Sequence, residues 1–208
     1  MTSTGENRSA TMDPLTDSAV VDDMTFEVLN AIYLHKMATA AHVADVTEIA
    51  LGEVEAMLAR EQTAEAVLDL EGSWLLQEAG TAKVLAYYRT IYASLREEGG
   101  IVQWYERFET GLNQQFIKAV SEWQTSDGDE RARDKLTKLV ERMIRSLGQI
   151  TDSVPRYEKY VRRFERAMAR SDRGESDFVC KPTVDSMHNI WFEFHEDILA
   201  VVGRPRDV

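Results

Sequence analysis

Thr39-Ala-Ala-His-Val-Ala-Asp-Val46, Glu53-Val-Glu-Ala-Met-Leu-Ala-Arg60 and Ala66-Val-Leu-Asp-Leu-Glu-Gly-Ser-Trp-Leu-Leu76 are the stretches that decide the fold. The first reads as a short helix with Thr39 as its N-cap, because a hydroxyl there accepts a hydrogen bond from the first turn's backbone. Thr47 is placed to cap a second helix whose apolar stripe is Ala50, Val54, Met57 and Leu58. The third stretch divides into two short runs of strand character, Ala66 to Leu70 and Ser73 to Leu76, around Glu71-Gly72, a pair suited to a tight hairpin turn.

Upstream, Phe26, Leu29, Ile32, Tyr33 and Lys36 fall at helical spacing behind Asp22 and Asp23, which gives another helix before Thr39. Residues 1–21 are rich in Ser, Thr and Asp without apolar periodicity and are expected to be a disordered tail. Downstream, a long helix is expected over 78–95, with Val84, Leu85, Tyr87, Tyr88, Ile91, Tyr92 and Leu95 on more than one face. A helix apolar on two sides sits between two bodies, so it is expected either to bridge to the next domain or to pair in a homodimer. Glu97-Glu-Gly-Gly100 is the expected boundary.

Beyond it the pattern predicts helices at about 102–124, 129–151, from Pro155 to before Asp172, and 183–202, joined by short connections that favour antiparallel neighbours. The expected fold is therefore mainly α. An N-terminal winged helix (three helices plus a β-hairpin) and its connecting helix span 22–96, and an antiparallel four-helix bundle spans 101–204.

The residues from Thr39 to Lys83, with Ala44-Asp-Val-Thr47 at the turn and Trp74-Leu-Leu-Gln-Glu-Ala-Gly80 after the hairpin, resemble winged-helix transcription regulators of the MarR and PadR kind. In that family the wing closes on a similar Leu-Thr-x-x-Gly. The chain has Ala64-Glu65 where the family commonly carries a Gly before the first wing strand. The resemblance implies a DNA-binding regulator that dimerises through helices outside the wing.

Charge argues against the DNA contact. The net charge is −12, and residues 1–94 hold five basic against 15 acidic residues, so most of the acid lies in the region of the resemblance. A base-reading helix needs Arg, Lys, Asn or Gln outward and cations for phosphates. The third helix offers Glu48, Glu53 and Glu55, and the hairpin Asp69 and Glu71. The nucleic-acid candidates are Lys36, Thr47, Arg60 and Lys83. So small a set of cations leaves DNA binding disfavoured, and the alternative is an accessory protein that docks on an enzyme or another protein.

Ligand-pocket candidates come from the last helix, Asp185-Ser-Met-His-Asn-Ile-Trp-Phe-Glu-Phe-His195. On a helical wheel His188 and His195 lie near Phe192 and Leu199, facing the bundle core or its edge, whereas Asn189, Glu193 and Asp197 fall on the opposite, wetter side. Twelve of the 18 aromatics lie in 101–208, which directs the search for a pocket there. The candidates are His188, His195, Trp191, Phe192, Asp185, Tyr105, Phe108, Tyr157 and Tyr160, with Asp185 one turn from His188 and able to orient it. The same pattern also fits histidines hydrogen-bonded in the core, with Tyr157, Tyr160, Glu106 or a backbone carbonyl of the three preceding helices as partners.

No phosphate loop, nucleophile–base order or acid-x-x-His pair on a second helix is present, so neither an enzyme, a metal nor a cofactor is expected. Cys180 is the lone cysteine, which excludes an intrachain disulfide, and no apolar run reaches the roughly 20 residues of a membrane span. The start lacks the apolar stretch of a secretory signal, and a cytoplasmic location is expected.

Overall fold

A computed structural model describes residues 20–126 and 128–205. The chain is mainly α-helical with one small three-stranded antiparallel sheet. The tail expected over 1–21 lies outside the described residues up to position 19, and Val21 packs against the core. Among the described residues no helix is long and apolar enough to cross a membrane.

Helix α1 (Asp23–His35) is capped by Asp22, whose carboxylate accepts from Thr25 N at 2.9 Å. Lys36 then takes φ 71°, turning the chain into β1 (Ala38–Thr39) and α2 (Ala40–Thr47). Thr39 caps α2 by accepting from His42 N. Thr47 does not cap the following helix as its sequence position suggested. It is the last residue of α2, and its hydroxyl donates to Val43 O at 2.6 Å, because the helix interior already offers a carbonyl four residues back. Helix α3 (Leu51–Thr63) starts at Ala50 with no side-chain cap.

Strands β2 (Val67–Leu70) and β3 (Ser73–Leu76) form the hairpin, and β1 adds to the far side of β3, giving the order β1-β3-β2. Glu71 and Gly72 both have positive φ, 55° and 89°, as a type I′ turn requires. Glu65 adopts φ 54°, the left-handed conformation more easily held by Gly. Gly80 is required for space. A Cβ there would stand 2.1 Å from the Ala66 carbonyl oxygen, so α4 (Glu78–Ile91) can lie against the hairpin only without one.

The helix expected over 78–95 breaks at Tyr92, and α5 (Ala93–Glu98) follows. Arg96 makes the break affordable by donating to the carbonyls of Tyr88 and Arg89, and to Val201 O of the last helix. Of Tyr88, Ile91 and Tyr92, the residues that most motivated the homodimer, the two tyrosines are packed inside the chain with Tyr87, and Ile91 is exposed along with Leu85. After Gly99 come α6 (Gly100–Arg107), a π-helical turn (Phe108–Asn113) and α7 (Gln114–Thr125), continuous with one another. Helices α8 (Glu130–Leu147), α9 (Glu158–Asp172), the short α10 (Asp177–Cys180) and α11 (Met187–Val202) complete the described chain. Helix α11 begins later than expected because Ser186, not Thr183, caps it, accepting from Asn189 N.

The hydrophobic core runs without interruption from Phe26 and Leu58 through Tyr88 and Trp104 to Trp191 and Val202. At its middle Arg156 pairs bidentately with the fully buried Asp197, while the hydroxyls of Tyr157 and Tyr160 donate to the same carboxylate at 3.2 and 3.1 Å. The guanidinium also donates to Tyr92 OH and lies within 6 Å of the rings of Phe26 and Tyr88. It thus joins α1, α4 and α11 around one charge pair. Replacing Arg156 with Met would leave Asp197 as an uncompensated buried charge and is expected to cost about 3–5 kcal/mol in chemical denaturation. A loss below about 1 kcal/mol would mean that the pair behaves as a surface bridge.

Candidate functional site

Helix α11 meets different surroundings on its two faces. On one side a cavity of about 410 Å³ opens between α7 and α11, within the usual range of roughly 300–1,000 Å³ for small-molecule sites. Its floor is Trp191 stacked on Phe116, with ring centroids 3.8 Å apart, and Tyr105, Val120 and Leu199 supply further apolar wall. His188, His195, Glu109, Asn113 and Glu196 place polar groups on the rim. Among the described residues no Lys or Arg lines it.

The π-helical turn sets the rim. A π turn widens the helix locally and recurs at functional sites. Here it brings Glu109 and Asn113 onto the cavity side, and the Asn113 amide donates to Glu109 while its carbonyl oxygen accepts from Trp191 Nε1 at 2.8 Å. His195 Nε2 donates to Glu109 Oε2 at 2.7 Å. Each member orients the next, so indole, amide, carboxylate and imidazole are held in one chain. Glu109 and Asn113 were not among the sequence candidates. The one signal for them is Gly111 inside an otherwise strong helical stripe.

Four of the sequence candidates, His188, His195, Trp191 and Phe192, line the cavity from α11, and Tyr105 lines it from α6. The other four do not. Phe108 is core, stacked on Trp104 at 5.3 Å between centroids. Tyr157 and Tyr160 are spent on Asp197, and burial pushes both phenols well above the ordinary value. Asp185 does not orient His188. It pairs with Arg163, a stronger partner than an imidazole because the guanidinium is charged at any physiological pH. The partner of His195 is Glu109, not the tyrosines or Glu106, and Glu106 pairs instead with Arg204.

The opposite face of α11 is dry rather than wet. Glu193 and Asp197 are buried because this side packs on α1, α4 and α9, and Arg163 and Arg156 compensate them. Periodicity within α11 alone shows two polar stripes and cannot show which one meets a neighbour.

The nucleic-acid candidates do not form a phosphate-binding stripe. Thr47 is buried; Lys83 Nζ donates to the buried Glu61 at 2.7 Å; Arg60 donates to Thr25 Oγ1. Lys36 lies over the Tyr33 ring at 4.9 Å. The outer face of α3 carries exposed Leu51, Glu53 and Glu55, and the hairpin exposes Leu68, Asp69, Leu70 and Glu71. Cys180 is unreactive in this setting, since burial pushes its thiol up to about 12.

Burial lowers the pKa of His188 below the ordinary 6.5. Between the lowered value and 6.5 the unfolded chain therefore binds more protons than the folded one, so stability rises with pH through that window and is fully present above it. His42 is lowered as well, mainly by burial, and contributes with the same sign. Melting temperature is expected to fall as pH drops below 6.5, and His188→Phe to flatten that dependence while leaving a residue due to His42. An unchanged slope in the variant would contradict the assignment. No known protein family, no curated protein and no solved structure matches the chain.

Proposed function

We propose that the chain is a non-enzymatic regulatory protein built on a winged helix of transcription-regulator descent, in which α11 couples a small-molecule cavity to the N-terminal module. The observation that carries this reading is the two-sidedness of α11. It presents His188, Trp191 and His195 to the cavity, Glu193 to Arg163 of α9, and Asp197 to Arg156 at the start of α9, which also lies against the rings of Phe26 of α1 and Tyr88 of α4. The strand order β1-β3-β2 around α2 and α3 supports the winged-helix reading of the module. A cavity with aromatic walls, two histidines and carboxylates but, among the described residues, no Lys or Arg favours an uncharged or cationic aromatic ligand over an anion.

The output is a protein contact rather than a DNA contact. Leu51, Leu68 and Leu70 are exposed on α3 and the hairpin together with the acidic Glu53, Glu55, Asp69 and Glu71, a combination that suits a protein with apolar and basic groups and repels a duplex. An adaptor that docks on a metabolic enzyme uses the same surface. The exposed Leu85 and Ile91 of α4 are what supports a dimer contact.

Two measurements test the proposal. Random duplex DNA is expected to bind the full chain more weakly than the ~10⁻⁴–10⁻⁶ M of nonspecific binders at physiological salt. Tighter binding with a steep salt slope would restore the DNA reading. Proflavine, a planar cation, is expected to bind saturably and to quench tryptophan fluorescence, more tightly than the anion anilinonaphthalene sulfonate. Ser121→Phe, which fills the cavity mouth, should weaken it at least about tenfold, equivalent to ~1.4 kcal/mol. Failure of both probes to bind, or equal binding by the filled variant, would overturn the sensing role.

A further inference from the structure

We infer that His35, His42 and Glu193 form a binding site for a divalent transition-metal ion of the zinc, cobalt or nickel type, at the seam between the N-terminal module and α11. The inference is independent of the aromatic cavity, which lies on the other side of the same helix. The three side chains each offer a ligand atom, and these atoms all lie within 4.8 Å of one another. His35 Nδ1 stands 3.1 Å from Glu193 Oε1, close to the roughly 3.3 Å that separates neighbouring ligands of a tetrahedral ion with bonds of about 2.0–2.1 Å.

The local fold sets up this convergence. His35 ends α1, the left-handed Lys36 reverses the chain, and His42 in the first turn of α2 returns so that the two rings sit 4.2 Å apart at 36°. Two imidazoles held that close gain little from each other. Among the described residues His42 has no hydrogen-bond partner for its ring, which leaves a half-buried nitrogen lone pair aimed into the cluster. Burial and the neighbouring His35 favour the neutral form of His42, the form that ligates.

The outer ring of contacts also fits a metal. The second oxygen of Glu193 accepts from Arg163 at 2.7 Å, and Arg163 is anchored in turn by Asp185. Such a partner fixes a ligating carboxylate without occupying the oxygen that faces the histidines. Counting Glu193, Asp185 and Arg163, the seam carries one net negative charge before any ion arrives, which favours a dication. Two nitrogens and one oxygen suit borderline metals rather than calcium or magnesium, and three protein ligands leave positions for water. On binding, His35 gives up its hydrogen bond to Glu193 and both groups turn their lone pairs to the ion. The ion then bridges α1 and α2 to α11.

The test uses the full chain, free of any affinity tag and stripped with chelator, titrated calorimetrically with zinc and spectroscopically with cobalt. One equivalent is expected to bind with micromolar or better affinity, to raise the melting temperature, and to give the visible absorption of a cobalt site with nitrogen ligands. His35→Gln and His42→Gln, checked for folding by circular dichroism, should each weaken binding at least ~10-fold, whereas the double variant His188→Gln with His195→Gln should bind as the parent does. Absence of saturable binding would overturn the site. So would binding that survives the loss of both His35 and His42, or that disappears only with His188 and His195.

Discussion

The pairing of Arg156 with Asp197 is the constraint on which the arrangement of the two halves depends. A carboxylate with no solvent contact must be compensated on all its lone pairs, and here a guanidinium and two phenols supply the donors. The guanidinium in turn needs a place for its flat faces. Phe26, Tyr88, Tyr92 and Tyr157 provide it from α1, α4 and the start of α9. Because the charge pair tolerates little misplacement, it fixes α11 against the N-terminal module far more narrowly than apolar contact would.

The uneven distribution of charge has its explanation at the same seam. The acid of the N-terminal region is matched within the chain by the basic face of α9. Lys159 pairs with Glu27; Arg162 holds Glu48 at 2.6 Å, with Arg166 at 3.7 Å; and Arg163 reaches Glu193 beside His35. Part of the negative charge is therefore consumed by folding. What stays outward on α3 and the hairpin is the remainder, and it surrounds leucines rather than cations.

Most of the helices were legible from periodicity, and the hairpin from Glu71-Gly72, because these depend on spacing and local turn chemistry. The strand β1 was not. It is only two residues long, and it pairs with β3 through Ala38 with Trp74 and Thr39 with Ser73, a tertiary contact that local patterning cannot show. The break at Tyr92 was equally hidden, since it is stabilised by Arg96 reaching back to carbonyls and across to Val201. For the cavity, the helix that carries it was readable, and Trp191, Phe192 and Tyr105 of the aromatic candidates line it, whereas Phe108, Tyr157 and Tyr160 do not and Phe116 of its floor was not among them. Glu109 and Asn113 were missed because a wheel at 100° per residue cannot represent a π turn. The cluster of His35, His42 and Glu193 was out of reach for a different reason. Its members are separated by up to 158 positions, and no short motif joins them.

The sequence assigns α11 one buried and one wet face, whereas the helix is enclosed on nearly all sides, with ten of its 16 residues buried. A helix in that position cannot slide or rotate without disturbing Asp197 and Glu193, whose pairs with Arg156 and Arg163 have almost no solvent to relax into. Any signal that passes through it must therefore be a small tilt that keeps both pairs, and its size is bounded by the ligand's difference in affinity for the two positions. Coupling of about 1–3 kcal/mol is typical of such devices. That is less than the cost of breaking either buried pair, so in the proposed coupling the charge pairs would serve as pivots rather than as latches that open.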